Sequence, residues 1–172
     1  ECFPCPSGYA CTSTGMTAVT NSDKCDAGYW CLRGAESKTP SDDSADPPYY
    51  GICPIGHYCL QGSGAPTPCP PGKFNSNSGS TAASSCGSCT AGSYCEGLGN
   101  SGTTGQCKEG FYCPSGSKIE NPNICTPGNK CPVGSSSETP CPAGTYQPNY
   151  GQGDCIACPA GYFCPQGSTD FV

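Results

Sequence analysis

A seven-residue motif, Cys-x-x-Gly-x-x-Cys, recurs along this chain, first at Cys5–Cys11 and last at Cys158–Cys164. Two further segments open in the same way at Cys69 and Cys141, and they run on to Cys86 and Cys155. A segment this short cannot bury a core of its own, so neighbouring copies must stack. The repetition therefore predicts one small module used many times and held by covalent bonds.

The composition agrees with covalent stabilisation. Leu, Ile, Val and Phe together number 16 of the 172 residues, which is below the roughly 20% expected of a chain that folds on apolar packing alone. The 19 cysteines among 172 residues are a larger fraction of the chain than the ~8–10% that is typical of secreted disulfide scaffolds. Because cytosolic thiols stay reduced, the chain is predicted to be extracellular, either secreted or at the cell surface.

The modules follow one another without a linker of different composition. We therefore predict that residues 1–172 form one continuous array of about nine modules, elongated and part of a longer array. The frequent Gly and Pro favour irregular loops and short β-hairpins with little or no helix, the fold class of small disulfide-rich proteins. Modules 1 to 9 begin at Cys5, Cys25, Cys53, Cys69, Cys89, Cys107, Cys125, Cys141 and Cys158.

An aromatic residue follows the motif glycine in almost every module, and it is expected to pack over the adjacent disulfide. Module 7, Cys125–Cys131, lacks such a ring and is expected to be the loosest. The only histidine, His57, occupies the aromatic position of module 3, so packing explains it better than catalysis.

Three copies of Cys-x-x-Cys mark the places where longer modules end. They are Cys2–Cys5, Cys86–Cys89 and Cys155–Cys158. By analogy with the other two copies, Cys2 is expected to pair with a cysteine upstream of Glu1. A zinc site would need a second ligand pair at suitable spacing, and a thioredoxin-like role would need a strand and a helix around the motif, so neither metal nor cofactor is expected.

The arrangement Cys-Pro-x-Gly, variable loop, Cys-x-x-Cys-x-x-Gly-x-x-Cys, at residues 69–95 and 141–164, resembles the ephrin-receptor-like cysteine-rich repeat. That repeat is similar in style to tumour-necrosis-factor-receptor and EGF-like modules. The resemblance implies a stalk, a receptor ectodomain, or a surface or matrix protein. It also implies the disulfides Cys69–Cys86 and Cys141–Cys155.

The other pairings stay open at this point. Cys95 with Cys107 and Cys113 with Cys125 would link modules in series, whereas Cys89 with Cys107 would interlock them. Structural disulfides are expected at Cys5, Cys11, Cys25, Cys31, Cys53, Cys59, Cys69, Cys86, Cys89, Cys95, Cys107, Cys113, Cys125, Cys131, Cys141, Cys155, Cys158 and Cys164.

The long insertion between Cys31 and Cys53 is the best candidate for a lateral contact, because loops on a rigid scaffold often carry binding residues. Asp46, Tyr49 and Tyr50 are its candidate partner contacts. An alternative calcium site at Asp42, Asp43 and Asp46 matches no EF-hand spacing, so a solvated run of charge is the better interpretation.

No Asn-x-Ser/Thr sequon occurs, but Ser and Thr next to Pro are candidate O-glycan acceptors, in particular Thr67 and Thr139. The net charge of −6 and the scattered basic residues argue against a nucleic-acid partner. No stretch approaches the ~20 apolar residues that span a bilayer, so no membrane contact is expected within these residues.

No set of catalytic groups is recognisable, and we predict that the chain is not an enzyme. The leading hypothesis is a structural extracellular protein, a disulfide-stapled rod in a stalk, fibre or surface coat, whose partners are copies of itself or further repeats placed end to end. The alternative is the ectodomain of a receptor or adhesin that binds an extracellular protein or glycan through the insertion.

Overall fold

A computed structural model describes residues 5–41 and 49–172. Within these ranges the chain has only short elements, because Gly and Pro recur too often for long helices or strands. Two 3₁₀-helices are present, at Asn21–Asp23 and Ala83–Ser85. The strands are β1 Tyr29–Cys31, β2 Tyr50–Ile52, β3 His57–Tyr58, β4 Thr67–Pro68, β5 Lys73–Phe74, β6 Gly87–Ser88, β7 Ser93–Tyr94, β8 Gly105–Gln106, β9 Phe111–Tyr112, β10 Asn123–Ile124, β11 Asn129–Lys130, β12 Thr139–Pro140, β13 Thr145–Tyr146 and β14 Ile156–Ala157.

The strands pair two by two in chain order, which gives seven two-stranded sheets among the described residues. In most modules the aromatic after the motif glycine stands in the first strand of its pair, as Tyr94 does opposite Gly105 in the antiparallel β7–β8 pair. Because Gly105 has no side chain, the Tyr94 ring lies across it, and a Cβ there would be 3.1 Å from the ring. The predicted fold class, disulfide-rich with short hairpins, is confirmed.

The chain forms two compact units. The first consists of Glu1–Pro70, Phe74–Gly87 and Leu98–Gly102, and the second of Pro71–Lys73, Ser88–Gly97 and Thr103–Val172. The first unit thus contains modules 1 to 3 and most of module 4, and the second contains modules 6 to 9 and most of module 5.

The core of each unit is built from sulfur. Among the described residues, every buried apolar side chain other than Ala10, Ala35 and Pro40 is a half-cystine. Large aliphatic side chains lie on the surface instead, as Leu60 and Leu98 do with 56% and 66% of their area exposed. Aliphatic burial, which is worth roughly 25 cal/mol per Å², therefore contributes little, and the disulfides take its place.

Nine disulfides pair all the described cysteines, and seven of them close within a single motif. They are Cys5–Cys11, Cys25–Cys31, Cys53–Cys59, Cys69–Cys86, Cys89–Cys95, Cys107–Cys113, Cys125–Cys131, Cys141–Cys155 and Cys158–Cys164. The two pairs that the resemblance implied, Cys69–Cys86 and Cys141–Cys155, are among them. Cys2 lies outside the described residues.

All three inter-module pairings considered from the sequence are wrong. Cys89 and Cys95 bond each other, so neither pairs with Cys107, and Cys113 bonds Cys107 rather than Cys125. The reason is the glycine at the middle of each motif. Gly92 has a φ of +83°, which turns the chain back and brings the Cα atoms of Cys89 and Cys95 to 5.8 Å, well inside the range that a disulfide spans.

Candidate functional site

The contact between consecutive modules is the most regular feature of the structure. Within a compact unit, four backbone hydrogen bonds join consecutive modules at equivalent positions of the motif, except that modules 1 and 2 share three of the four. Between modules 6 and 7 they are Gly110 N–H to Cys131 C=O (2.8 Å), Cys125 N–H to Gly110 C=O (2.9 Å), Gly134 N–H to Cys107 C=O (2.9 Å) and Cys113 N–H to Ser135 C=O (2.9 Å).

The same four bonds recur in both compact units. In the first unit they join modules 2 and 3 and modules 3 and 4, and in the second they join modules 5 and 6, 7 and 8, and 8 and 9. Buried backbone polar groups must find partners, and here each module supplies the partners of its neighbour. The pattern is that of a repeat protein whose stability resides in its nearest-neighbour interfaces.

The motif glycine is required for a second reason besides its φ. Gly128 has a φ of +82°, and a Cβ built on it would lie 2.5 Å from the carbonyl oxygen of Gly167, which belongs to the module after next. Real Cβ atoms do not approach backbone oxygen so closely, so only glycine fits. Each motif glycine in the interior of a compact unit therefore contacts two following modules.

Sequence reasoning missed a second recurrent glycine. It lies three places after the last cysteine of the motif, as Gly116 follows Cys113 and Gly134 follows Cys131. Its N–H donates to the first cysteine of the preceding module, as Gly116 does to Cys89 at 2.8 Å. The extended spacing Cys-x-x-Gly-x-x-Cys-x-x-Gly was visible in the sequence and could have revealed it.

Modules 4 and 8 replace the closing half-cystine by an amide. Counting six places from Cys69 gives Asn75, and six places from Cys141 gives Gln147. Both are buried, with 2% and 3% of their area exposed. The backbone of Gln147 makes the same contact as that of Cys131 does one module earlier, since its C=O accepts from Gly128 N–H at 2.8 Å.

The amide side chains close their turns by hydrogen bonds. Asn75 Nδ2 donates to the backbone oxygen of His57 at 2.8 Å and to Ser80 Oγ at 2.7 Å. In module 8, Gln147 Nε2 donates to the backbone oxygen of Asp154 at 2.7 Å, and Gln147 Oε1 accepts from Asn149 N–H at 3.2 Å. Buried amides satisfied in this way are compatible with folding. Because an amide holds the turn of modules 4 and 8 closed, Cys69 and Cys141 pair with the more distant Cys86 and Cys155.

Module 7, the module without a ring, has a polar network instead. Glu138 accepts from Thr126 N–H at 2.8 Å and from Thr126 Oγ at 2.9 Å, and Asn129 Nδ2 donates to Thr126 Oγ at 3.0 Å. Both cysteines of the module are fully buried. The structure therefore shows a substitute for the missing aromatic contact.

The end of the insertion nearest β2 packs against module 2. Tyr50 stands in β2 opposite Cys31 and packs against the buried cluster that contains Cys31. The guanidinium of Arg33 lies 3.9 Å from the centre of the Tyr49 ring, the geometry of a cation–π contact. Both tyrosines are half-buried, because the scaffold itself uses part of each ring. Asp42, Asp43 and Asp46 lie outside the described residues.

A shallow groove of about 390 Å³ lies beside this end of the insertion, lined by Tyr29, Thr39, Pro40, Ser41 and Ile52. A second groove of about 420 Å³ lies over module 1, where Thr12, Ser13, Thr14 and Glu36 line it. Neither groove has a buried charged group facing it, so the chemistry they offer is apolar contact in the first and hydroxyl contact in the second.

The candidate glycan acceptors share one structural position. Thr67 stands opposite Tyr58 in β3–β4, and Thr139 stands opposite Lys130 in β11–β12. Both are exposed. His57 Nδ1 lies 3.0 Å from the backbone oxygen of Ile55, which is a local contact within the module.

Two exposed carboxylates have lowered pKa values. The pKa of Asp23 is lowered because the side chain and the backbone N–H of Thr20 donate to it. The pKa of Asp154 is lowered by the backbone N–H of Cys155 and, less strongly, by the Lys130 ammonium at 3.3 Å. Both groups stabilise local turns and neither belongs to a cleft, so these shifts do not indicate catalysis.

Within the described parts of the chain, no three His, Cys, Asp or Glu side chains come together as metal ligands would. The same parts contain no helix with the length and apolarity to span a membrane.

These features define a disulfide-rich protein of stacked cysteine modules. Residues 125–170 match the family described as tyrosine-protein kinase ephrin type A/B receptor-like. The resemblance drawn from the motif is confirmed over those residues, which hold modules 7 to 9. No curated protein matches the chain closely. Disulfide content and the matched module are those of extracellular or cell-surface proteins.

Proposed function

We propose that this protein is a structural extracellular spacer, a disulfide-stapled rod that works in a stalk, fibre or surface coat and carries out no catalysis. The observation that carries the proposal is the interface of four hydrogen bonds, repeated in both compact units with the same motif positions. A repeat that uses one interface again and again specifies extension rather than a unique cleft. The interior supports this role, since it consists almost entirely of half-cystines.

The proposal includes the organisation of the chain. Residues 1–172 form one continuous array whose modules begin at the nine cysteines given above, and the array continues in further modules. Its partners are then copies of itself or additional repeats, joined end to end. Glycans on Thr67 and Thr139 would increase solubility, and an intact mass equal to that of the unmodified polypeptide would exclude them.

A receptor or adhesin ectodomain is the second candidate, because the matched family is named for receptors. The groove beside the insertion favours it, with Tyr29 and Ile52 as apolar contacts. In this version Tyr49, Tyr50 and Asp46 contact an extracellular protein or glycan. A Tyr49→Ser chain that binds cells or matrix as well as the native chain would exclude this surface.

Stretching single molecules tests the spacer proposal. The oxidised chain, held at its ends, is expected to resist extension and then to lengthen only by the residues outside disulfide loops. After reduction the same molecule should extend to the full contour of 172 residues at low force, about 3.3–3.6 Å for each residue. An oxidised chain that extends at low force without resistance would contradict a load-bearing role.

A further inference from the structure

The loop that leads from module 3 to module 4 presents one accessible hydroxyl group. Residues 60–68 contain two hydroxyl side chains, Ser63 and Thr67. Ser63 is half-buried, and its Oγ donates to the backbone oxygen of Leu60 at 2.7 Å. Thr67 is exposed. The local turn therefore uses the first hydroxyl and leaves the second one facing solvent.

The backbone at Thr67 is held in one conformation. Pro66 and Pro68 flank this residue, and the ring of a proline fixes its own φ. Pro68 also lies against the backbone of Gly99, since a Cβ built on Gly99 would be 3.6 Å from Pro68 Cβ. A group attached to Thr67 would thus start from a fixed direction, which lowers the entropy lost when it packs on the protein.

The ring of Tyr58 stands directly opposite Thr67 in the antiparallel β3–β4 pair. Residues opposed in this way share a face of the sheet, with Cβ atoms about 4.5–5.5 Å apart. In the equivalent β7–β8 pair, the ring of Tyr94 reaches across to its partner Gly105. The Tyr58 ring is therefore beside the Thr67 side chain, and because Tyr58 is half-buried, part of the ring is accessible.

We propose that Thr67 carries an O-linked sugar whose C–H face packs on the accessible part of the Tyr58 ring. In the attachment step Thr67 Oγ bonds the anomeric carbon of a nucleotide-activated sugar. The bond from that carbon to the nucleoside diphosphate breaks with its electron pair, and the hydroxyl proton passes to a base of the transferase. The electron-rich face of an aromatic ring attracts polarised C–H groups. The inference rests on the glycan named in the proposed function and assigns the contact that it makes.

Thr139 is the matched comparison within the same chain. It occupies the equivalent position of the β11–β12 pair, but the residue opposite is Lys130. The Lys130 ammonium lies 3.3 Å from Asp154, and module 7 has no aromatic residue after its motif glycine. A sugar on Thr139 thus has no ring opposite it and stays in solvent.

The test uses the native chain secreted from a eukaryotic host that attaches O-linked sugars. Peptide mass mapping locates the sugar, and proton NMR compares the folded chain with the same chain after reduction and thiol blocking. The protons of the Thr67 sugar should shift upfield on folding, because the ring current of Tyr58 shields them, whereas a sugar on Thr139 should show no such shift. Tyr58→Leu keeps an apolar side chain without a ring, so it should keep the sugar and lose the shift.

An unmodified Thr67 in the secreted chain would overturn the proposal, as would sugar protons with equal shifts in the folded and the reduced chain. An upfield shift that persists in Tyr58→Leu would also overturn it, since the ring would not be the cause. The folded and reduced native chains decide the question even where Tyr58→Leu does not fold. Stretching measures the disulfide-closed modules and not the glycan, so a chain that lacks this contact and still resists extension leaves the spacer role intact.

Discussion

Modules 7 and 8 are neighbours that reach the same backbone geometry by different chemistry. In module 7 the sixth place after the first cysteine holds Cys131, which closes a ring with Cys125. In module 8 that place holds Gln147, and Cys141 pairs with Cys155. Both places accept a hydrogen bond from the glycine of the preceding module at 2.8 Å.

This difference shows that backbone groups form the interface between modules, and that the interface does not require a half-cystine at the sixth place. The glycine turn and the four hydrogen bonds are constant, whereas the group that holds the turn closed varies. A disulfide closes it covalently, and a buried amide closes it by filling the same position and bonding the local backbone. Replacing the amide at this position is therefore as informative as removing a disulfide.

Removing the disulfide of module 7 is expected to have the largest effect. Cys125→Ala with Cys131→Ala should lower the free energy of unfolding by about 2–5 kcal/mol, measured by urea titration. Cys141→Ala with Cys155→Ala should cost less, because Gln147 still holds the turn of module 8. Loop entropy alone favours the opposite order, by about 0.5–1 kcal/mol for the longer loop, and finding that order would refute the role given to Gln147.

Substituting the motif glycines separates backbone strain from crowding. Gly128→Ala should lose about 2–4 kcal/mol of stability, because its Cβ meets the Gly167 carbonyl as well as adopting a positive φ. Gly144 has nearly the same φ as Gly128, +84° against +82°, and open space at its Cβ, so Gly144→Ala should lose only about 1 kcal/mol. Equal urea midpoints for the two variants would show that contact with the second following module contributes nothing.

Removing the amide of module 8 comes next. Gln147→Ala leaves the Asp154 carbonyl and the Asn149 N–H without their partner and should cost about 1–3 kcal/mol. Gln166→Ala is the control, since Gln166 is exposed and makes no side-chain hydrogen bond. Identical stability of the two variants would mean that the hydrogen bonds of the Gln147 side chain do not contribute to the stability of the fold.

The smallest expected effect is a loss of stability at low pH. The pKa of Asp154 is lower in the folded chain than in the unfolded chain, so its contribution is present above the unfolded pKa and is lost as the pH falls through the folded pKa. Stability should thus decrease below about pH 4, and Asp154→Asn should lessen that decrease slightly. The difference in urea midpoint between pH 7 and pH 3 is the measurement, and a larger decrease in Asp154→Asn would contradict the assignment.

The sequence was sufficient to predict the repeat, the sulfur core and the hairpins, because these follow from cysteine count and glycine spacing. The pairing inside each motif was not predicted, because the order of cysteines along a chain does not give the distances between them. The turn at the motif glycine sets those distances. Asn75 and Gln147 were missed because a buried amide has no signature of its own. Only the count of six from Cys69 and Cys141 marks them.

Candidate contact residues were harder still to predict. Tyr49 and Tyr50 were predicted as partner contacts in an insertion, and Arg33 and the cluster around Cys31 each contact one of these rings within the scaffold. A loop sequence does not show which of its side chains the neighbouring module will take up.

Amide exchange before and after reduction tests most directly whether disulfides hold the stacked interface in place of an apolar core. In the oxidised chain the amides of Gly56, Gly92, Gly110 and Gly128, which bond to the next module, should be strongly protected. After complete reduction and blocking of the thiols, that protection should vanish at all four. Four amides that remain protected in the reduced chain would contradict the account.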